Sequence, residues 1–364
     1  SDNLKAAYDT TDGISFKNAT FDGKLMAMPS ISPGADAIPI LFVRGDWMDE
    51  LGLDEPKTVE DITNIVKAFK YGDSNSLVMS QNIVSENGNN TYGMDALFAL
   101  YGAYPKHWVT DADGNLVYGS NTDEAKTALA EIRKLVEDGT IDASFTVRDS
   151  DQCAELVTSG QAGIFFGAWW NMSWPLNNMV EEDPNIYWNA YLAPLTDDGT
   201  YNTATLCPSS SFMVIKAGAS EEVKEAAVKV MNYQFDIDQD QGESLKSNPS
   251  DPYSWTSMPF SILLSTYTDK ETKAEKVLKA AAGELDESEL TGEAAQWYES
   301  YQAAEKDVAA AAADNWQYSK WTATVTGVSN IKYHGRTAIT ASKGLVRSTA
   351  TILSTNTSAL PAGY

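Results

Sequence analysis

The chain has 364 residues, 43% of them hydrophobic, with 26 Lys and Arg against 51 Asp and Glu, a formal charge of −25. Its length exceeds one ordinary core and fits two lobes, and its hydrophobic content excludes a disordered chain. The charge excludes nucleic acid as a partner, because phosphates would be repelled.

The first strand candidate is "KLMAM" (24–28), followed by "PILFVR" (39–44). "DWMDELGL" then predicts a short helix with Asp46 as N-cap, Asp49 at N3 and Gly52 as its end. Trp47 is read as packing for that helix. At Thr58, "TVEDITNIVKAF" carries a capping-box pattern through Asp61, and Ile62, Ile65, Val66 and Phe69 form one apolar face. "DADGN" (111–115) reads as a hairpin turn. Residues 123–138 predict a helix with a stripe of Ala125, Ala128, Leu129, Ile132, Leu135 and Val136, stopped by Gly139.

Further strands are expected at "GIFFG" (163–167), "YWNAYLA" (187–193) and "SFMVIK" (211–216). Ser220 caps a helix from "SEEVKEAAVKVMNYQF", with Glu221 and Glu222 in its favourable first turn. Residues 293–313 are Ala-rich and predicted helical, and the Ser/Thr-rich tail weakens in pattern toward the C-terminus. Strands alternating with helices define an α/β protein.

Several chemistries lack their residues. There is no GxxxxGK[ST], no GxGxxG after a strand, no HExxH, no CxxC and no GxSxG. Two cysteines, Cys153 and Cys207, exclude a disulfide scaffold and leave one bridge open. Neither His107 nor His334 sits in a local Cys-His signature. "DIDQDQGE" (236–243) offers alternate aspartates, but Gln241 and Ser247 stand where an EF-hand needs Gly and Glu, so it reads as a solvated acidic loop. No metal and no cofactor is expected. A carboxylate pair flanking a glycosidic bond stays open, because among 51 acids some pair is always close.

The positive signal is aromatic. "GIFFGAWWNMSW" (163–174) places Trp169, Trp170 and Trp174 just past an apolar strand, and Trp108, Trp255, Trp316 and Trp321 stand at other element ends. An indole plane suits the apolar C–H face of a pyranose, while hydroxyls reach amides and carboxylates. For a single tryptophan, core packing is the default reading. The 169/170 pair differs, because neighbouring residues at a helix start point in different directions and both cannot enter one core. At least one is expected to face a cleft.

Three segments in order resemble the family 1 extracellular solute-binding proteins of ABC transporters, the maltose-binding-protein-like substrate-binding lipoproteins. They are residues 22–69 ("DGKLMAMPSISPGADAIPILFVRGDWMDELGLDEPKTVEDITNIVKAF"), 113–145 ("DGNLVYGSNTDEAKTALAEIRKLVEDGTIDASF") and 159–176 ("SGQAGIFFGAWWNMSWPL"). The resemblance implies a two-lobe, type II periplasmic-binding-protein-like fold with a hinge. It divides the chain into a remnant of the N-terminal lobe (1–37), the C-terminal lobe (38–212), a return to the first lobe (213–260) and helical segments with a tail (261–364).

The same resemblance implies that Trp169 and Trp170 stack on sugar and that Tyr92 adds a second platform. It places Asp36 and Ser210 where the crossings border the cleft. Asn171 and Asp36 are expected to hold hydroxyls, with Trp108 and Trp255 as further ligand contacts. Only 22 residues precede Gly23, where the family has roughly a hundred, so the first lobe is expected to be short of residues. The function implied is capture of an oligosaccharide and delivery to permease subunits, by a monomer that is no enzyme, extracellular and lipid-anchored at the cell surface in its precursor. A glycan-active hydrolase and a cell-surface glycan- or peptide-interaction protein are the alternatives.

Overall fold

The computed structural model describes residues 2–69, 76–84, 91–172, 174–183, 185–204, 207–240, 262, 264–306 and 331–333. Trp255, Trp316, Trp321, His334 and the tail lie outside them. In chain order the elements are α1 (Asp2–Asp9), α2 (Ile14–Asn18), β1 (Thr20–Phe21), β2 (Lys24–Leu25), β3 (Met28–Pro29), β4 (Ile40–Arg44), α3 (Gly45–Leu51), α4 (Val59–Ala68) and α5 (Asp95–Leu100). Next come β5 (Trp108–Thr110), β6 (Leu116–Tyr118), α6 (Asp123–Glu137), α7 (Ser150–Thr158), β7 (Ile164–Gly167), α8 (Leu176–Glu182) and β8 (Trp188–Tyr191). The last are β9 (Tyr201–Thr203), β10 (Phe212–Met213), α9 (Glu221–Asp240), α10 (Asp269–Ala281), α11 (Gly292–Lys306) and β11 (Ile331–Tyr333).

The main sheet has the order β7-β4-β8, with both pairings antiparallel. Its central strand reads Ile-Leu-Phe-Val-Arg with every residue buried. A strand reads this way, rather than as alternating apolar and polar residues, when both its faces are covered. Residues of α4, α5, α6 and α7 join β4, β7 and β8 in one large apolar cluster. Arg44 ends β4 buried, and its charge is met by a bidentate pair to Asp46 (2.7 and 2.5 Å). Its guanidinium also lies 4.3 Å from the Trp47 ring centroid.

A second, smaller cluster joins α1 to α9 through Leu4, Ala7, Tyr8, Met231 and Phe235, with Ile31, Ile262 and Leu264. A third joins α10 to α11 through Val277, Ala280, Ala294 and Trp297, with Leu290 between the helices.

The segment between β3 and β4 is flanked on both sides. Ser30 and Ser32 donate backbone N–H bonds to Ser211 (2.8 Å) and Pro208 (2.7 Å) on one side. On the other, Ser265 donates to Ile31 (3.0 Å) and Gly34 donates to Tyr267 (2.7 Å). Gly34 allows that close approach, because a Cβ there would lie 3.0 Å from the Tyr267 ring.

Local signals and structure agree at most helix ends. Thr58 and Asp61 make the expected reciprocal capping box, and the hairpin turn at 111–115 is closed by Asp111 accepting from Asp113 and Asn115. Five expectations are corrected. Asp46 is not an N-cap: α3 begins at Gly45 with Arg44 before it, and the Asp46 carboxylate goes to that arginine instead. Leu129, on the flank of the α6 stripe, is 50% exposed. The acidic residues to Asp240 continue helix α9 rather than forming a loop. "KLMAM" divides into β2 and β3, and "SFMVIK" is a strand only at Phe212–Met213. β10 ends there because its partner β3 begins at Met28, opposite Met213. Val214 and Ile215 beyond it are exposed. Both cysteines are free, Cys153 buried and Cys207 exposed.

Candidate functional site

β7 delivers the aromatic turn. Its four residues are buried, Ala168 follows, and a 3-10 turn runs Trp169–Met172. Asn171 holds that turn from inside. It is 0% exposed, and its Oδ1 accepts from the Ala168 N–H (2.7 Å) and the Thr91 hydroxyl (2.9 Å). Its Nδ2 donates to the Trp174 carbonyl (3.2 Å). The folded-back amide needs Gly167, where a Cβ would lie 2.4 Å from Asn171 Oδ1.

The three tryptophans are used differently. Trp169 is half-buried and packs against both the large cluster and the α10–α11 cluster. Its indole N–H donates to Asp36 Oδ1 at 2.7 Å. The Lys270 ammonium lies 4.6 Å from its ring centroid. Trp170 is half-buried and stacks on Trp174, with centroids 6.4 Å apart and planes 26° apart. Trp174 is 55% exposed. The pair presents a broad apolar surface at the exit of a fully buried strand.

A buried ionic cluster lies behind Trp169. Lys270 contacts Glu293 (2.6 Å) and Asp269 (3.4 Å), while Lys273 contacts Asp269 (2.8 Å) and Glu293 (3.0 Å). Burial alone would raise the Glu293 carboxyl, but Lys270 and Lys273 outweigh it and bring it down to about 2. Burial disfavours the Lys270 ammonium, yet Glu293 and Asp269 together lift its pKa above the ordinary value. Asp36 is different. Burial pushes it up, and the Trp169 N–H and Lys270 only partly offset this.

The other sequence candidates are placed as follows. Tyr92 is not a platform: it is 2% exposed, 5.1 Å from Phe165 in the core, and burial raises its hydroxyl pKa. Asn171 does not face solvent, because its amide is turned inward to Ala168, Thr91 and Trp174. Asp36 is buried, with one carboxylate oxygen given to Trp169. Ser210 is exposed and donates its backbone N–H to Ser30 Oγ (3.0 Å). Trp108 lies on the β5–β6 hairpin with its ring 5.4 Å from Tyr118, so it belongs to the hairpin rather than to the turn. Trp255 lies outside the described residues.

Sequence reasoning missed Lys270, Glu293 and Trp297. "TDKETKAEK" (268–276) reads as an ordinary solvated helix start, and nothing local marks the carboxylate 23 residues later. A cavity of about 650 Å³ lies elsewhere, lined by Tyr104, His107, Asp111, Asp123 and Glu124 among others. Its acids are in use, Asp111 in the hairpin turn and Asp123 and Glu124 in the first turn of α6. Among the described residues no group of three His, Cys, Asp or Glu side chains could hold a metal ion.

Residues 13–241, more than half of the chain, match the family model of the bacterial extracellular solute-binding proteins. The chain belongs to this family. It is 28% identical over 152 residues to the polygalacturonan/rhamnogalacturonan-binding protein YtcQ of Bacillus subtilis, which covers 42% of this chain and 30% of YtcQ. It is 27% identical over 191 residues to the fructooligosaccharide ABC transporter substrate-binding protein FusA of Streptococcus pneumoniae, 49% of this chain and 34% of FusA. The matches thus span about a third of the length of these relatives. Among solved structures, the HMO-binding, ABC-transporter-associated solute-binding protein of Bifidobacterium longum infantis matches at a TM-score of 0.51 and 15% identity, covering 89% of this chain and 82% of that one. That likeness shows the fold, a two-lobe α/β architecture of the type II periplasmic-binding-protein class.

Proposed function

We propose that this solute-binding protein captures an oligosaccharide between its lobes and hands it to the permease of an ABC transporter, with no bond made or broken. The observation that carries the reading is the Trp170–Trp174 pair, partly bare at the end of a buried strand. Large flat rings contribute apolar contact at low conformational cost, and binding sites tend to combine such surfaces with a few placed polar groups. The relatives' ligands, polygalacturonan/rhamnogalacturonan for YtcQ and fructooligosaccharide for FusA, support the substrate class.

In this reading α1, α9 and the residues they enclose belong to one lobe. The β7-β4-β8 sheet and its helices form the other, and the segments at 30–39 and 207–211 form the crossings between them. Trp170 and Trp174 form the platform, Ser210 borders the cleft, and Asp36 and Trp169 act from beneath. The protein works as a monomer at the outer cell surface, lipid-anchored in its precursor.

Titration of intrinsic tryptophan fluorescence with kestose and with trigalacturonate tests the proposal. One of the two is expected to change the emission saturably, with no new reducing ends. Trp170→Ala should weaken that binding by about 1–3 kcal/mol, the burial value of a large side chain. Unchanged affinity in Trp170→Ala removes the platform.

A further inference from the structure

Trp169 heads the turn that carries Trp170, and three parts of the chain hold it. The turn itself is closed by Asn171. Asp36, in the 3-10 segment Gly34–Ala37 between β3 and β4, fixes the edge of the indole through its N–H. Lys270, in the first turn of α10, covers the ring face. Helix α10 also packs against the Gly34–Ala37 segment. The indole is therefore held at its edge by a carboxyl oxygen and at its face by a cation, each from a different element. A ring so held is less free to stack on sugar itself, because its edge and one face are already engaged.

Both partners are buried polar groups, and burying such groups often stabilises no more than an apolar replacement of the same shape. Fixing one indole orientation is a task that apolar packing performs less well, since a hydrogen bond and a cation–π contact both have direction. We propose that Asp36 and Lys270 are positioning residues of the sugar site, acting through Trp169 to set the angle at which Trp170 and Trp174 face the ligand. This rests on the sugar-binding reading of the Trp170–Trp174 pair.

The design of the ionic cluster permits a clean test. Lys273 also reaches Asp269 and Glu293, so Lys270→Met leaves each acid with a cationic partner. Asp36→Asn keeps an acceptor for the indole N–H, and Asp36→Leu removes it. The Trp169 indole N–H signal in a ¹⁵N-correlated NMR spectrum is assigned by its loss in Trp169→Phe, with no ligand present. It is expected to shift strongly in Asp36→Leu and Lys270→Met and to stay near its place in Asp36→Asn.

Affinity for kestose and trigalacturonate is then measured below the melting temperature of every variant. A loss of about tenfold or more is expected in Asp36→Leu and Lys270→Met, the scale of one hydrogen bond to a charged group, with rescue in Asp36→Asn. Wild-type affinity in Asp36→Leu and Lys270→Met, alongside a weakened Trp170→Ala, overturns the positioning role and leaves the sugar reading intact. Equal losses in Asp36→Asn and Asp36→Leu overturn it as well, because a bond-specific role requires rescue. If the wild-type chain binds neither probe, both proposals fail, and the unliganded indole signal then reports only on packing.

Discussion

Gly167 shows how much one hydrogen atom decides in this molecule. A methyl group there would meet Asn171 Oδ1 at 2.4 Å and the Phe165 ring at 2.9 Å, both held by their own partners. The amide cannot step aside without giving up the bonds that close the aromatic turn. Gly167→Ala is therefore expected to cost about 1–3 kcal/mol, the range for overpacking a filled core, and to disturb the Trp170–Trp174 stack. Urea unfolding measures the first effect and near-ultraviolet circular dichroism the second. An unchanged midpoint with an unchanged spectrum would show that the turn is looser than its hydrogen bonds imply. Asn171 in the same turn illustrates the reverse error of reading a polar residue beside tryptophans as a ligand contact. Its oxygen accepts from Ala168 and from the distant Thr91 and its nitrogen donates to Trp174, and only the folded geometry reveals that.

At the scale of elements, helix α6 separates pattern from burial. Ala125, Ala128 and Ile132 are buried, whereas Leu129 on the same predicted stripe is exposed. Ile132→Ala is expected to destabilise by about 2–5 kcal/mol through lost contact and a cavity. Leu129→Ala should stay within about 0.5 kcal/mol, as for surface positions free of special roles. Paired chemical denaturation of the two variants checks the contrast, and equal costs would mean that the stripe is covered on both flanks. α3 teaches a related lesson. An aspartate ahead of an apolar run fits a cap by type, but a buried arginine two residues away offers a stronger, bidentate partner. The competition was between a local dipole and a local charge, and the charge won.

For the molecule as a whole, the α10–α11 cluster links acid stability to assembly of the parts. The Glu293 carboxyl sits at about 2 in the folded chain against 4.5 when unfolded. A depressed carboxyl contributes its stability fully above the unfolded value and loses it as pH falls from 4.5 toward 2. Lys270 has the complementary edge: its raised pKa holds its contribution up to the ordinary ammonium value of 10.5, above which it fades. Melting temperature should therefore fall as pH drops below 4.5, and Glu293→Gln should be less stable at neutral pH yet show a shallower acid slope. Parallel acid slopes in the two proteins would assign the loss to other groups. Beyond the cluster, Leu25, Met26, Ile215 and Val228 line an open groove of about 400 Å³. Among the described residues, the apolar cluster around α1 and α9 holds far fewer side chains than the one built on β4.

The sequence by itself determined what short-range physics controls. The capping box at Thr58, the hairpin at Asp111, the buried strands Ile40–Arg44 and Ile164–Gly167, and a turn rich in tryptophan all follow from periodicity and side-chain type within a dozen residues. Three motif segments in order also carried the family. The tertiary structure alone decided which tryptophan is anchored and which is bare. That choice depends on Asp36, 133 residues before Trp169, and on Lys270, paired to a carboxylate 23 residues further on. Buried polar groups must find partners wherever the fold brings them, and no local pattern encodes a bond made between elements so far apart in the chain.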